Sequence, residues 1–243
     1  MRKALLSSGG MDSFLLAHQP ELEGAVHVFV DVGQAYAQKE LDAATYVAQS
    51  TGSELMVVRT ANLCAHEHKP TGIIPFRNAE LILCAAQHAE ALYLGVIADE
   101  VNSDKSEEFL HAMEQVLNIS HRGQYWTEGR RFELRTPFRQ HTKSRLVSDY
   151  LRAGGQLPHL LRSVSCYDGG AMHCGRCSSC FKRWVALTNA TGYDAEVRCE
   201  PYAVHPAAYR GLAYWRDKLK DYPASRLAEV ESAYAIARKG HQP

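Results

Sequence analysis

The 243 residues carry 27 basic and 27 acidic side chains, a formal net charge of zero, so nothing global draws the chain to nucleic acid or an anionic membrane and any polyanion site must be local. With 46% apolar residues there is material for a real core, which excludes disorder as the main state. No run approaches the roughly 18 apolar residues of a spanning helix, and the start, MRKALLSSGGMDS, turns to Gly and Asp after three apolar residues, which predicts a cytoplasmic protein without a signal peptide.

In chain order, short β-branched or apolar runs alternate with longer amphipathic stretches. Strands are predicted at 4–7, 25–31 (AVHVFVD), 55–59, 92–97 and 132–136. Between them the spacing predicts a helix over 38–51, with Leu41, Ala44, Val47 and Ala48 on one face and Gly52 as a stop. A second, over 78–91, is apolar around most of its circumference and should be buried; others are expected at 105–117 and at 142–153, ended by Gly154-Gly155. This alternation predicts the α/β class, a parallel sheet with helices on both faces. The polar, glycine-containing stretch from His121 to Arg131 is expected to be a mobile loop near the carboxyl edge, able to close over a substrate. Past Cys199, helices are predicted over 209–219 and 225–238, the second with Leu227, Val230, Tyr234 and Ala237 on one stripe; such a stripe is more often internal packing than a partner surface. The domain plan is an α/β domain over 1–160, a cysteine-rich module over 161–195 and a helical extension over 196–243 packed on the domain. Trp126, Trp184 and Trp215 are read as packing residues, and His66 and His68 lack a third ligand nearby.

Ligands of parallel sheets bind at the carboxyl edge, which makes the first strand-to-helix turn the place to look for chemistry. It reads Ser7-Ser8-Gly9-Gly10-Met11-Asp12-Ser13. Two glycines let the backbone approach a bulky anion, the hydroxyls of Ser8 and Ser13 can donate to its oxygens, and the following helix adds N–H groups and a positive dipole. It is not the G-x-x-x-x-G-K-[ST] loop, because the glycines are adjacent and no Lys follows. The plain alternative is a Gly-Gly turn with Asp12 capping the helix.

Of seven cysteines, Cys166, Cys174, Cys177 and Cys180 fall within fifteen residues as C-x7-C-x2-C-x2-C. Four crowded thiols match the tetrahedral four-thiolate demand of a structural Zn²⁺, whereas a redox pair would leave two of them unexplained. Gly169, Gly170 and Gly175 give the backbone freedom to bend around an ion. His173 is expected beside the site and not on the metal.

Ser8-Gly9-Gly10-Met11-Asp12-Ser13 resembles the SGGxDS loop of the PP-loop ATP pyrophosphatases, and the set as a whole is similar to the 7-cyano-7-deazaguanine synthase family of queuosine biosynthesis. The matching residues are Asp31-Val32-Gly33-Gln34, Ile74-Pro75-Phe76-Arg77-Asn78, Thr136-Pro137 with Lys143, and Ser165-Cys166-Tyr167 leading to the triple Cys174, Cys177 and Cys180. Two departures stand out. Phe76 replaces the family's glycine before Arg77-Asn78, and the segment after Gly95 is short and lacks the usual Tyr-Pro-Asp.

The resemblance implies a PP-loop nucleotide-binding fold that uses ATP and Mg²⁺ to adenylate the carboxylate of 7-carboxy-7-deazaguanine, or a related deazapurine, for attack by ammonia or another amine, giving the amide or the nitrile. On this reading Ser7, Ser8, Gly9, Gly10, Met11, Asp12, Ser13, Asp31, Gly33, Gln34 and Asn78 bind the nucleotide. Asp12 holds or orients the metal, Ser13 shares the loop's catalytic role, and Arg77 and Lys143 neutralise developing charge. Arg77 and Lys143 could equally be solvated charges, and Asn78 a helix cap. In place of Tyr-Pro-Asp, Asp99, Glu100 and Asp104 are the candidate acceptors for the deazapurine. Two other classes compete: a PP-loop enzyme acting on an RNA base or a protein amine, and a non-catalytic nucleotide-binding protein. Zero net charge weighs against RNA, and the complete loop against a dead enzyme. A homodimer, or a protein partner on the C-terminal helices, is compatible with the sequence.

Overall fold

The structure, a computed structural model, describes residues 1–60, 63–68, 73–98, 100, 103–126, 128–199, 201–220, 222 and 224–240. It divides into two compact units, 1–140 and 141–243.

The first unit runs β1 (Lys3–Leu6), α1 (Met11–Ala17), β2 (Val26–Asp31), α2 (Ala37–Thr51), β3 (Leu55–Arg59), α3 (Arg77–Ala86), β4 (Ala91–Tyr93), α4 (Glu107–Ser120) and β5 (Glu133–Arg135). The strands form one parallel sheet in the order β3-β2-β1-β4-β5. β2, second from the edge, reads VHVFVD with every residue but the last buried, the continuous burial expected of a strand covered on both faces. Its Val26, Val28 and Val30 join Ile82, Leu92 and Phe132 in one core, while the alternation of side chains turns His27 and Phe29 to the other face. α2 stops where expected, with Gly52 in the left-handed conformation at φ 65°.

α3 ends at Ala86, short of the predicted 91, because Ala91 is the first residue of β4, where it pairs with Lys3 of β1. Its cap is Phe76, at φ 61° the one positive-φ residue other than glycine among the described residues. The resemblance expects glycine there, and the substitution explains why: glycine takes this conformation freely, whereas a side chain strains it.

The stretch from His121 to Arg131 lies at the opposite edge from the one predicted. It joins the end of α4 to the start of β5, and Arg130 pairs with Glu90, just ahead of β4, at 2.8 Å. Helix-to-strand connections in a parallel sheet fall at the amino edge, so this loop cannot close over a ligand at the carboxyl edge. Trp126 is likewise not a packing residue, being 67% exposed.

The second unit contains α5 (Lys143–Arg152), α6 (Leu157–Leu160), α7 (Ser178–Thr191), α8 (Ala195–Arg198), α9 (Leu212–Lys218) and α10 (Ala224–Gly240). Its centre is α7, whose Phe181, Trp184 and Leu187 are fully buried. α5 and α10 pack on it, which draws α5 into this unit, although the sequence reading placed residues up to 160 with the α/β domain. Phe181 stacks on Trp215 at 4.2 Å and 8°, and Trp184 meets Tyr234 edge-on at 5.5 Å. Of the predicted stripe, Val230 and Ala237 are buried, Tyr234 is half-buried against Phe181 and Trp184, and Leu227 is half-buried. No helix of the described residues is long and apolar enough to cross a membrane.

Candidate active site

In the order β3-β2-β1-β4-β5 the chain leaves β1 toward β2 on one side and reaches β4 on the other. The crevice beyond β1 and β4 is therefore the topological switch point of the sheet. Both segments that enter it are there by close fit. Gly9 sits at φ 67°, and a Cβ on it would overlap the main-chain oxygen of Glu40 in the first turn of α2, so two separate constraints require glycine. Gly95, just past β4, lies so near α1 that a Cβ would stand 3.1 Å from that of Asp12.

The turn is closed on itself. Ser13 Oγ donates to Gly10 O at 3.0 Å, Ser8 Oγ lies 3.4 Å from Ser13 Oγ, and the Gly10 N–H points at Ser8 Oγ at 3.4 Å. Gly10, not Asp12, is the cap of α1, and Asp12 falls in the first helical turn. Met11 and Ser13 are buried and Asp12 is half-buried. Ser7 is fully buried, and its Oγ has no hydrogen-bond partner; an orphaned hydroxyl directly ahead of the loop is unusual.

Asp31 and Gly33, after β2, form a side-chain turn in which Asp31 Oδ1 accepts the Gly33 N–H at 2.9 Å. Gln34 uses both ends of its amide. Oε1 accepts from the Val32 N–H at 3.0 Å, and Nε2 donates to Glu40 Oε2 at 2.9 Å. It therefore braces the loop. Glu40, absent from the sequence reading, ties these parts together: its carbonyl touches Gly9, its carboxylate holds Gln34, and the charge of Arg77 acts on it. Burial pushes the Glu40 carboxyl up to about 7, against the opposing pull of the Gln34 hydrogen bond and of Arg77. No local pattern links residue 40 to residue 9, so only the packed fold could reveal it.

Asn78 is not a cap either; it is buried inside α3 and donates Nδ2 to the Asp104 carbonyl at 3.3 Å. Glu100 pairs with Lys105 at 2.7 Å. Asp99 lies outside the described residues. Lys143 opens α5, in the second unit.

The second unit gathers Cys166, Cys174, Cys177 and Cys180, with all four sulfurs within 4.8 Å of one another and those of Cys174 and Cys180 3.9 Å apart. Sulfurs about 2.3 Å from a common tetrahedral centre would lie about 3.8 Å apart, so the donor set and its spacing suit Zn²⁺. Backbone N–H groups point at the sulfurs: those of Asp168 and Cys174 at Cys166, of Arg176 at Cys174, and of Cys180 at Cys177, at 3.3 to 3.4 Å. Such donors stabilise thiolates. Thiol donors from Cys166 and Cys180 hold the Cys177 thiol well below its ordinary value. His173 accepts the Ser165 N–H through Nε2 and stands outside the cluster, as expected.

The tail is fastened to this module. Gly175 adopts φ 67°, and a Cβ there would overlap the Val204 carbonyl, while the Ala203 N–H donates to His173 O at 2.9 Å. A second fastening is Asp194, which accepts from Trp184 Nε1 at 2.9 Å and lies 3.0 Å from His205 Nε2. Burial alone would raise that carboxyl, but the Trp184 and His205 hydrogen bonds outweigh it and hold it low. His205 Nδ1 accepts the Ala207 N–H, so its Nε2 carries the proton donated to Asp194.

A family model described as "Queuosine biosynthesis protein QueC" matches residues 51–191, more than half of the chain. Among curated proteins, the 7-cyano-7-deazaguanine synthase of Chlorobaculum tepidum is 31% identical over 82% of this chain and 97% of its own. Those of Paracoccus denitrificans and Rhizobium etli are 27% and 26% identical, over 91% and 93% of this chain and 98% and 100% of theirs. With a PP-loop at the switch point of a five-stranded parallel sheet, a four-cysteine cluster behind it in sequence, and likeness along nearly the whole length of these relatives, the chain belongs to the QueC family of queuosine biosynthesis proteins.

Proposed function

We propose that the chain is an ATP-dependent carbon–nitrogen ligase that adenylates the carboxylate of 7-carboxy-7-deazaguanine for attack by ammonia or another amine; its relatives bear the name 7-cyano-7-deazaguanine synthase. The observation that carries this reading is the turn after β1 at the switch point of the sheet, where Gly9 is held at positive φ against the Glu40 carbonyl and the Ser8 and Ser13 hydroxyls stand beside the start of α1.

A carboxylate is a poor electrophile until its oxygen becomes a leaving group. In the proposed reaction a substrate carboxylate oxygen attacks the α-phosphorus of ATP, the new P–O bond forms and pyrophosphate departs. Ammonia adds to the acyl carbon, loses a proton and displaces AMP, leaving the amide. A second adenylation, on the amide oxygen, followed by loss of AMP and a proton, gives the nitrile.

Ser8, Gly9, Gly10, Met11, Asp12 and Ser13 would cradle the departing phosphates, and Arg77 would offset the charge that gathers there, the dominant effect in such transfers. Asp12 is a hard oxygen donor suited to Mg²⁺, which when bound neutralises phosphate charge. Asp31, Gly33 and Asn78 shape the nucleotide side of the crevice, with Gln34 acting through the brace it forms. Asp99, Glu100 and Asp104 are the proposed acceptors for the amino and ring N–H groups of the deazapurine. Cys166, Cys174, Cys177 and Cys180 would hold Zn²⁺ as a closed structural site with no position for substrate.

The test is mass spectrometry of products after incubation with ATP, Mg²⁺, 7-carboxy-7-deazaguanine and ammonium. AMP, pyrophosphate and a deazaguanine amide or nitrile are expected. ADP and phosphate, or an unchanged deazaguanine, would overturn the reading.

A further inference from the structure

Glu40, in the first turn of α2, acts on the turn after β1 in three ways, none of which is a step of the ligase reaction. Its main-chain oxygen fills the space that a Cβ on Gly9 would need, with Ala43 Cβ and Ala44 N only 3.0 and 3.1 Å from the same point, so the start of α2 is pressed against the turn. Its Oε2 accepts from Gln34 Nε2 at 2.9 Å, and Gln34 Oε1 accepts the Val32 N–H at 3.0 Å, which couples the carboxyl to the loop after β2. Arg77, the first residue of α3, pulls on the same carboxyl by its charge. One acidic group therefore stands behind a cradle suited to an anion and competes with that anion for Arg77. By covalent reach its carboxyl lies within about 10 Å of any phosphate set against Gly9.

We propose that Glu40 is a proton-linked positioning residue: the turn receives phosphate with Glu40 as the neutral acid, and ATP binding draws a proton from solvent onto Glu40 Oε1. The inference rests on the nucleotide-binding reading of the crevice. Geometry favours that oxygen, because Oε2 already takes the Gln34 N–H and goes on accepting it as a carbonyl oxygen, so the brace survives protonation. Ionised, Glu40 would set a negative charge behind the cradle and hold back the charge of Arg77. Protonated, it leaves Arg77 to the phosphates. Burial has already brought the carboxyl up to about 7, so near neutral pH the proton is taken at little cost. A further negative charge about 10 Å away, at an effective dielectric constant of about 20, should raise it by about one unit more. The elements packed on α2 carry Asp12 in α1 and His18 at its end, His27 and Asp31 on β2, and Arg59 on β3, while Lys39 and Asp42 lie beside Glu40 on α2 itself. Arg59 stands 3.8 Å from Asp31, and Gln38 donates to Asp42. These groups are common to the wild type and to a Glu40 variant, so comparing the two isolates Glu40.

Calorimetric titration of the full chain with Mg²⁺ and a non-hydrolysable ATP analogue, at about pH 7.5 in two buffers of different ionisation heat, counts the protons taken up. Wild type should take up about half a proton more per analogue bound than Glu40→Gln, the amount expected when a carboxyl at about 7 moves up by about one unit. From about pH 6 to about pH 8.5 the affinity of the wild type should fall about sevenfold relative to that of Glu40→Gln, whose amide keeps the Gln34 bond but cannot ionise. Glu40→Ala, which loses the brace as well, should bind more weakly at every pH and take up as few protons as Glu40→Gln. A residue that only held the fold would give the weakening without the difference in protons. Equal proton uptake in the wild type and both variants, with the analogue bound, would overturn this inference alone. No binding to the wild type would overturn the nucleotide reading and this inference with it.

Discussion

Lowering the pH from 7 to 5 should cost the wild-type protein about 2 kcal/mol more stability than it costs a His27→Leu variant. His27 is fully buried on β2, neither ring nitrogen has a hydrogen-bond partner, and burial, helped by the nearby His18, lowers its pKa from 6.5 to about 4. The sign follows from which state takes the proton. Between 6.5 and about 4 the unfolded chain binds it and the folded chain does not, so the contribution of His27 is complete above 6.5 and drains away as pH falls. Across the whole window the loss approaches about 3 kcal/mol at about 1.4 kcal/mol per pH unit, and by pH 5 about 2 kcal/mol of it is gone. Leucine has nearly the volume of histidine and no nitrogen to leave unsatisfied, so the variant should also match or exceed the wild type at neutral pH. Urea unfolding followed by circular dichroism at both pH values measures this, and comparing the two proteins cancels proton uptake elsewhere, including at the cysteines. Equal pH dependence in wild type and variant would refute the reasoning.

Glu40 should show the reverse slope. Its carboxyl stays protonated up to about 7 in the folded state against 4.5 when unfolded, so its contribution is complete below 4.5 and lost as pH rises toward 7; Glu40→Gln should gain stability relative to wild type over that range in the same unfolding assay. Purified protein should carry one zinc per chain by metal analysis, and Cys177→Ser should lose both the metal and the cooperative melting of the second unit, because binding energy at such sites, about 10 kcal/mol or more, is folding energy. Asp12→Ala and Ser13→Ala should abolish ATP-dependent pyrophosphate release while the circular dichroism spectrum stays unchanged. Gly175→Ala should lower stability by about 3 kcal/mol or more in thermal melts, since its methyl would displace the Val204 carbonyl from a backbone already at φ 67°.

What could be read ahead of the fold was whatever short-range chemistry dictates. β3 was legible to the residue at Leu55–Arg59 because its apolar run ends abruptly at charged and polar neighbours, and the cysteine spacing located the four sulfurs that the fold gathers. α7 was missed although Phe181, Trp184, Val185 and Thr188 keep helical spacing and Gly192 stops it; the cysteines at its start drew the reading toward a metal knuckle instead. The loop at 121–131 went to the wrong edge because composition carries no information on which end of a sheet a connection occupies. Only the order of strand and helix fixes that.

Glu40 marks the deeper limit. Its part in the crevice comes from its contacts with Gly9 and Gln34 and from the charge of Arg77, 37 residues away, which come together only once α2 packs on α1 and β2. Motif residues such as Gly9 and Asp12 announce themselves because a ligand constrains them locally, whereas the residue that braces the motif is constrained by the fold alone. The same logic explains Phe76. Its strained backbone follows from where α3 must start, and the sequence shows only an aromatic residue where the family's pattern has glycine.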